Sequence, residues 1–387
     1  MEARVVGGCA ALLVWSALVA CDRALVRAPV ADPAPAEPFV SAEPSAPDAL
    51  GPETGARPSG VAGAAAAHGG ESRPEASRVV LVTIDGVRWE DVFVGTSDEE
   101  AGGETMMPNL HRLVGDRGIA LGGPGCAHDV RASGPNFVSL PGYLEMFTGR
   151  PTTCTHNACP AVDTRTIVDE ARDAADGKTD VAVFASWGRY ARAVARDRKA
   201  IVLSAGTAAP PISVAKDAPE LRTYLEAAAT HAGYPGHGDY RPDVHTSRIA
   251  LHYLETKRPR LLVVGLGDAD EYAHRGDRAG YRRAMRRADD FVADLDRALT
   301  RMAEDGRRTA VLVTTDHGRA RSFRGHGGSF PESQRVFFAA FGAGIARRGV
   351  TCADAPLRLA HVAGAVRRLL SLDGETGPLA TEISAAH

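Results

Sequence analysis

Lysine is scarce in this chain of 387 residues, aromatic residues make up only 6% of it, and its formal net charge is only −3. Arginine carries nearly all the positive charge, which with abundant alanine and glycine reads as a GC-rich bacterial composition and excludes no chemistry. The near-balanced charge excludes an electrostatic case for nucleic-acid binding. The long apolar stretch near the start, Val5 to Ala20, is too short for a comfortable transmembrane helix. No internal repeat is visible, and no Cys-x-x-Cys pair occurs. What is present is ordinary: 44% hydrophobic and 24% charged residues, in a chain long enough to bury one large α/β core.

The first 77 residues read as an address and a tether. Arg4 precedes the apolar stretch, which ends in Leu18-Val19-Ala20-Cys21. That ending resembles the bacterial lipoprotein signal, which implies cleavage of a peptide 1–20 and lipid on the thiol of Cys21; the alternative is a plain secretory signal with an incidental cysteine. Asp22 resembles an inner-membrane retention signal whose rule varies among bacteria. From Asp22 to about Ser77 the chain is rich in Pro, Ala, Glu and Gly and cannot bury enough apolar surface to order itself. Its coil dimension is about 40 Å. An enzyme anchored to the membrane through Cys21 follows as the expectation.

Four cysteines remain beyond Cys21: Cys126, Cys154, Cys159 and Cys352. Outside the cytoplasm an even number favours disulfides, with three connectivities. Cys154 and Cys159 are close enough to close a small loop, which leaves Cys126 with Cys352. A thiolate zinc site is the weaker alternative.

From Val79 strand-like and helix-like segments alternate. Val79–Ile84, Val181–Ala185, Leu261–Leu266, Ala310–Thr315 and Val336–Phe341 read as strands. Met107–Val114, Leu140–Gly149, Thr166–Ala175, Leu221–Ala229, Val244–Glu255 (capped by Asp243), Tyr281–Met302 and Leu357–Leu370 read as helices. The alternation predicts a three-layer αβα sandwich with a mostly parallel central sheet over 78–375, followed by a C-terminal tail 376–387.

Three apolar runs end in residues that bind metals. Asp85-Gly86 closes the first, Asp270 with His274 follows the third, and Asp316-His317-Gly318 closes the fourth. A parallel sheet carrying its site at the C-terminal edge has this appearance. Asp270 and His274 reach one cation if they start a helical turn. Asp268 is a rival to Asp270. His326 lies in Arg324-Gly325-His326-Gly327-Gly328, where flanking glycines let the backbone approach closely. Asp and His side chains suit zinc, and a hydrolytic two-metal site needs about six of them. Ser139, before Pro141 at the start of a helix, is either the nucleophile or a helix cap.

These motifs, in order, resemble the alkaline phosphatase superfamily, particularly its branch of type I phosphodiesterases and nucleotide pyrophosphatases. Val82-Thr83-Ile84-Asp85-Gly86-Val87-Arg88, Met107-Pro108-Asn109-Leu110, Ser139-Leu140-Pro141-Gly142-Tyr143 through Thr148-Gly149, Asp270-Glu271-Tyr272-Ala273-His274, Thr315-Asp316-His317-Gly318 and Gly325-His326-Gly327 carry the resemblance. It implies an alkaline phosphatase-like fold over roughly 79–370. It implies one zinc on Asp85, Ser139, Asp316 and His317 and a second on Asp270, His274 and His326. It also implies attack by Ser139 on phosphorus, through a phosphoserine. Two departures stand out. Family sulfatases have arginine where this chain has Tyr143. The phosphodiesterase branch has asparagine where this chain has Gly142, and a further asparagine some twenty residues past the nucleophile. Asn157 lies near that second position, as a donor to a substrate oxygen or as a turn residue, with His156 as rival.

The expected function is hydrolysis of a small-molecule phosphate ester. No Lys or Arg adjoins Ser139 in sequence, which tilts the expectation towards diesters and pyrophosphates over monoesters. Phosphotransfer, sulfatase-like hydrolysis and a binding lipoprotein that has lost catalysis are the alternatives. Arg88 pairs with Glu90 or Asp91 or clamps phosphate. The Tyr234–Asp243 segment lines a cleft or is a structured loop ending in a helix cap, and His231 and His245 read as surface residues.

Overall fold

Runs of aliphatic residues buried on both faces become parallel strands, because only a sheet covered by helices on each side removes both faces from water. The computed structural model describes residues 76–95, 105–177, 180–207, 219–231 and 235–384. The signal 1–20, Cys21 and the tether as far as residue 75 lie outside the described residues. Strands β1 (Arg78–Ile84), β2 (Gly118–Leu121), β4 (Val181–Ala185), β5 (Val202–Ala205), β6 (Leu261–Leu266), β7 (Thr309–Thr314), β9 (Phe338–Gly342) and β10 (Gly349–Val350) form one sheet in the order β10-β2-β9-β7-β1-β6-β4-β5. The five strands from β7 to β5 are mutually parallel, and β9 runs antiparallel to both its neighbours. Strands β3 (Val130–Arg131), β8 (Arg335–Val336) and β11 (Leu357–Arg358) make a small second sheet.

Alternate residues of β1 point to opposite layers. Val79 and Leu81 join a core shared with helices α2 (Ser139–Thr148), α3 (Ile167–Asp173), α8 (His361–Leu369) and α9 (Gly377–Ser384). Val80, Val82 and Ile84 join a core shared with α1 (Pro108–Arg117), α4 (Arg222–Thr230), α5 (Asp243–Lys257), α6 (Asp268–His274) and α7 (Arg278–Arg301). The result is the expected αβα sandwich.

The segment expected as one strand, 336–341, divides at the buried Phe337, so that β8 pairs with β3 while β9 enters the main sheet. The expected helix 357–370 begins only at His361, since Leu357 and Arg358 pair with β3. The expected tail is corrected too. Residues 377–384 form a helix that buries Leu379, Ala380 and Ile383, and Arg348 bonds Glu382 at 2.9 Å. Asp243 does not cap its own helix: its carboxylate accepts the amides of Gly267 and Asp268 instead. Among the described residues no helix is long and apolar enough to cross a membrane.

Cys126 is bonded to Cys352 and Cys154 to Cys159. The thiolate zinc alternative therefore has no free thiols to build on among these four.

Candidate active site

β7, β1 and β6 are adjacent in the sheet, and each delivers ligand-type residues at its C-terminal end. Asp85 follows β1, Asp316 and His317 follow β7, and α6, which starts two residues past β6, presents Asp270 and His274 one turn apart on one face. Ser139 opens α2, which packs against the same edge. His326 arrives on its glycine loop. All seven residues singled out in the sequence converge here.

The tightest part of the cluster surrounds Ser139, which is 4% exposed. Its Oγ donates to Asp85 Oδ1 at 3.3 Å and lies 3.4 Å from His317 Nε2. Asp85 Oδ2 accepts the Tyr143 hydroxyl at 2.9 Å. Asp316 Oδ1 accepts the Gly86 amide at 3.1 Å, whereas its Oδ2 is buried with no hydrogen-bond partner. His317 Nδ1 donates to the Gly318 carbonyl at 2.8 Å, so Nε2 carries the lone pair; it faces Asp85 Oδ1 and Asp316 Oδ2 at 3.5 Å each. Acceptors thus face acceptors. Such a group is relieved by a bound cation or by protons on its carboxyls.

The second part of the cluster is more open. Asp270 Oδ2 lies 2.9 Å from His274 Nε2, and His274 Nε2 lies 3.1 Å from His326 Nε2. His326 Nδ1 donates to the Phe137 carbonyl at 2.9 Å, leaving Nε2 to face Asp270 Oδ1 at 3.7 Å. The rings of His317 and His326 stack with centroids 4.0 Å apart. His274 is exposed, so the cleft opens on that side.

Electrostatics follow from the crowding. Burial, then the neighbouring Asp316 and Asp270, pushes the Asp85 carboxyl well above the usual range. Burial raises Asp316 to about 7. Burial depresses His317 to about 4, and burial with the adjacent His317 takes His326 to about 3, so both imidazoles stay in the neutral form that binds metals. Burial alone would raise Asp270, but the Arg319 guanidinium against its Oδ1, aided by the His274 hydrogen bond, holds it well below the usual range. His274 in turn is raised by its hydrogen bond to Asp270.

Two triads place their ligand atoms within 4.8 Å of one another: Asp85, Asp316 and His317, and Asp270, His317 and His326. The donor set of carboxylates and neutral imidazoles fits divalent cations of the zinc type, and the partnerless Asp316 Oδ2 is the atom such an ion would satisfy. His317 is within reach of both groups.

The glycines near the site have specific reasons. Gly86 takes φ +62°, and a Cβ there would collide with the Asp270 carboxylate. A Cβ at Gly142 would collide with the Asp316 carbonyl, which explains why no asparagine fits at that position.

Asn157 sits over the start of α2, its Oδ1 accepting the Leu140 amide at 2.9 Å, with its Nδ2 unpartnered among the described residues. The Cys154–Cys159 loop holds it there. His156 is exposed, and its Nδ1 accepts the Ala158 amide within that loop. Asp268 is occupied elsewhere: its Oδ1 accepts from the Tyr240 hydroxyl and the Asp243 amide. Arg88 pairs with Asp91, at 2.8 and 2.7 Å. The Asn109 of Met107-Pro108-Asn109-Leu110 ties the start of α1 to Asp289. His231 and His245 contact each other at 2.9 Å on exposed surface.

Sequence reasoning missed three residues. Arg319, fully buried, bonds Asp270 and the Gly86 carbonyl (3.1 Å), and its position directly after Asp316-His317-Gly318 was the available signal. Tyr143 supports Asp85. Arg189, exposed in the turn after β4, donates to the Asn157 carbonyl at 2.7 Å, bringing a cation beside Asn157 that no spacing in the sequence foretold.

No family model matches the sequence, and no curated protein matches it. Among solved structures the chain is similar to a 2-O GAG sulfatase, with TM-score 0.54 and 13% identity over 81% of this chain and 74% of that one. A putative sulfatase from Bacteroides thetaiotaomicron gives TM-score 0.54 and 13% identity over 81% and 75%. Ps i-CgsB in complex with k-i-k-neocarrahexaose gives 0.52 and 15% over 80% and 76%. At such identities the likeness shows a shared fold and nothing finer.

Proposed function

We propose that the chain is a metal-dependent hydrolase of phosphate esters, held at the outer side of a bacterial membrane by lipid on Cys21. The observation that carries the reading is the meeting of Ser139 Oγ with two ligand groups at one sheet edge. Asp85, Ser139, Asp316 and His317 would hold one zinc, and Asp270, His274 and His326 the other. Bound cations supply Lewis acidity, which favours the serine alkoxide and neutralises a leaving oxygen.

The chain's own residues supply the rest. Ser139 gives up its proton beside Asp85 and His317 and forms the bond to phosphorus as the ester P–O bond breaks and the leaving oxygen departs as the alcohol, taking up a proton; water then cleaves the phosphoserine, releasing the phosphate product and restoring the hydroxyl. Asn157 Nδ2, with Arg189 bonded to the Asn157 carbonyl, would be the donors to the non-bridging oxygens. Because Arg189 is bonded to Asn157, the reason for preferring diesters weakens, and monoesters belong in the expected range.

Sulfate ester hydrolysis is the second reading, prompted by the sulfatase names of the structural neighbours. Against it stands Tyr143, whose hydroxyl is committed to Asp85 where sulfatases carry arginine.

Purified protein is to be assayed on nitrophenyl phosphate, bis-nitrophenyl phosphate and nitrophenyl sulfate, with zinc and with chelator, beside Ser139→Ala. Chelator-sensitive phosphate ester turnover, lost in Ser139→Ala by at least a hundredfold, is expected. Absence of such turnover would sink the enzyme reading, and dominant sulfate turnover would replace phosphate by sulfate. Fractionation of cells in the same experiment tests the anchor: Cys21→Ser should move the protein out of the membrane fraction.

A further inference from the structure

Residues 237–243 grip α6, the helix that carries Asp270 and His274, at both of its ends. At the N-terminal end Asp243 Oδ1 accepts the Gly267 amide (2.8 Å) and Oδ2 the Asp268 amide (3.0 Å). The Tyr240 hydroxyl donates to Asp268 Oδ1 at 2.7 Å, and the Asp243 amide donates to the same oxygen at 3.2 Å. At the other end Arg275, the residue after His274, donates to His237 Nδ1 at 2.8 Å.

The gripping segment is itself bolted to the sheet. Arg241 is 1% exposed and donates to the carbonyls of Ala185 (3.0 Å) and Ser204 (3.1 Å), at the ends of β4 and β5. Its amide donates to the Ser186 carbonyl at 2.7 Å, and the Ser186 hydroxyl donates to Asp243 Oδ1 at 2.6 Å. None of Ser186, Tyr240, Arg241, Asp243 and Asp268 belongs to either ligand group.

Burying two carboxylates and a guanidinium is costly even when they are paired. A loop that merely ended in a helix would need no such network, since a single polar side chain can cap the helix it starts. Asp243 instead serves a different helix. That helix has seven residues, too few to hold its own shape or place without outside contacts. Asp270 and His274 both ride on it, so a shift of α6 moves two ligands together.

We propose that Asp243 and Tyr240 are positioning residues for the metal group built on Asp270 and His274: the 237–243 segment is a bracket that fixes α6 on the sheet edge and so sets that group's affinity for its cation. The inference rests on the two-metal reading above. Partners bonded directly to a ligand change metal affinity by about 10- to 100-fold; Asp243 and Tyr240 bond Gly267 and Asp268 and act on Asp270 and His274 through the helix, so the effect falls at the low end of that range.

The test is zinc titration of the zinc-free full chain against a chromophoric chelator, with wild type, Tyr240→Phe and Asp243→Asn; Asp270→Ala identifies which zinc belongs to α6. Wild type should bind two zinc ions. Both variants should keep the Asp85-group zinc at wild-type affinity and bind the α6 zinc about 10-fold more weakly. Should Asp243→Asn not fold, Tyr240→Phe decides, because it removes one hydroxyl and keeps the ring. Two wild-type affinities in the folded variants, or equal weakening at both groups, overturn the inference while the two-metal reading stands. Fewer than two zinc ions on wild type overturn that reading and this inference with it.

Discussion

Replacing Tyr143 by phenylalanine removes one oxygen from the most buried part of the site. The ring stays: it is 1% exposed and lies 4.3 Å from the Tyr190 ring, so no cavity of consequence opens. What is lost is the 2.9 Å hydrogen bond to Asp85 Oδ2. When Asp85 is ionised around a cation, a bond of that kind contributes about 1.5–3 kcal/mol, against about 0.5–1.5 kcal/mol when the carboxyl is protonated. Burial and the neighbouring carboxylates hold Asp85 towards its protonated form in the metal-free site, so most of the loss falls on the metal-bound state. At about 1.4 kcal/mol per factor of ten, the net loss of roughly 1–2 kcal/mol becomes a 5- to 30-fold weaker zinc at the Asp85 group. The assay is competition with a chromophoric chelator at pH 8, above the Asp316 value of about 7, where proton competition at that carboxyl is small. The α6 zinc and the thermal midpoint of the zinc-free protein should change little. Unaltered affinity at the Asp85 group would refute the reasoning, and so would an equal loss at both groups.

Other substitutions probe the frame around the site. Gly142→Ala forces a methyl group against the Asp316 carbonyl and should cost about 1–3 kcal/mol in denaturant unfolding, with activity falling as well; Gly115→Ala, in α1 with open space around it, should be neutral or slightly stabilising. Wild-type stability in Gly142→Ala would show that α2 can move away freely. Replacing both Cys154 and Cys159 by serine opens the loop that seats Asn157. Stability should drop by about 2 kcal/mol on the loop-entropy account, and KM for phosphate esters should rise several-fold. An unchanged KM would detach Asn157 from substrate binding.

The parts of this molecule that could be read in the sequence are those whose signal is local. β1, β6 and β7 announce themselves because strands covered on both faces must be apolar throughout, and their ligands follow within a few residues. Asp270 and His274 are legible through helical spacing alone. Tertiary adjacency leaves no such trace. Tyr143 meets Asp85 across 58 positions and Arg319 meets Asp270 across 49, so neither pairing has a periodicity to follow. Asp243 shows the sharper limit: an acidic residue before a helix reads as that helix's cap, and only the fold reveals that its carboxylate faces Gly267 and Asp268. The division of 336–341 between two sheets and the late start of α8 have the same origin, since which neighbour a short apolar segment pairs with is decided by distant strands.

The bond between Cys126 and Cys352 spans 226 positions, and its topological effect exceeds its local one. It closes a covalent ring that contains Ser139, Asp270, His274, Asp316, His317 and His326, leaving only Asp85 of the seven on the free arm. A single cut anywhere inside that ring opens it without releasing a fragment, so the nucleophile and both ligand groups stay on one molecule after proteolytic damage. In the extracytoplasmic setting proposed above, that would turn a peptide-bond break from a loss of parts into a loss of continuity.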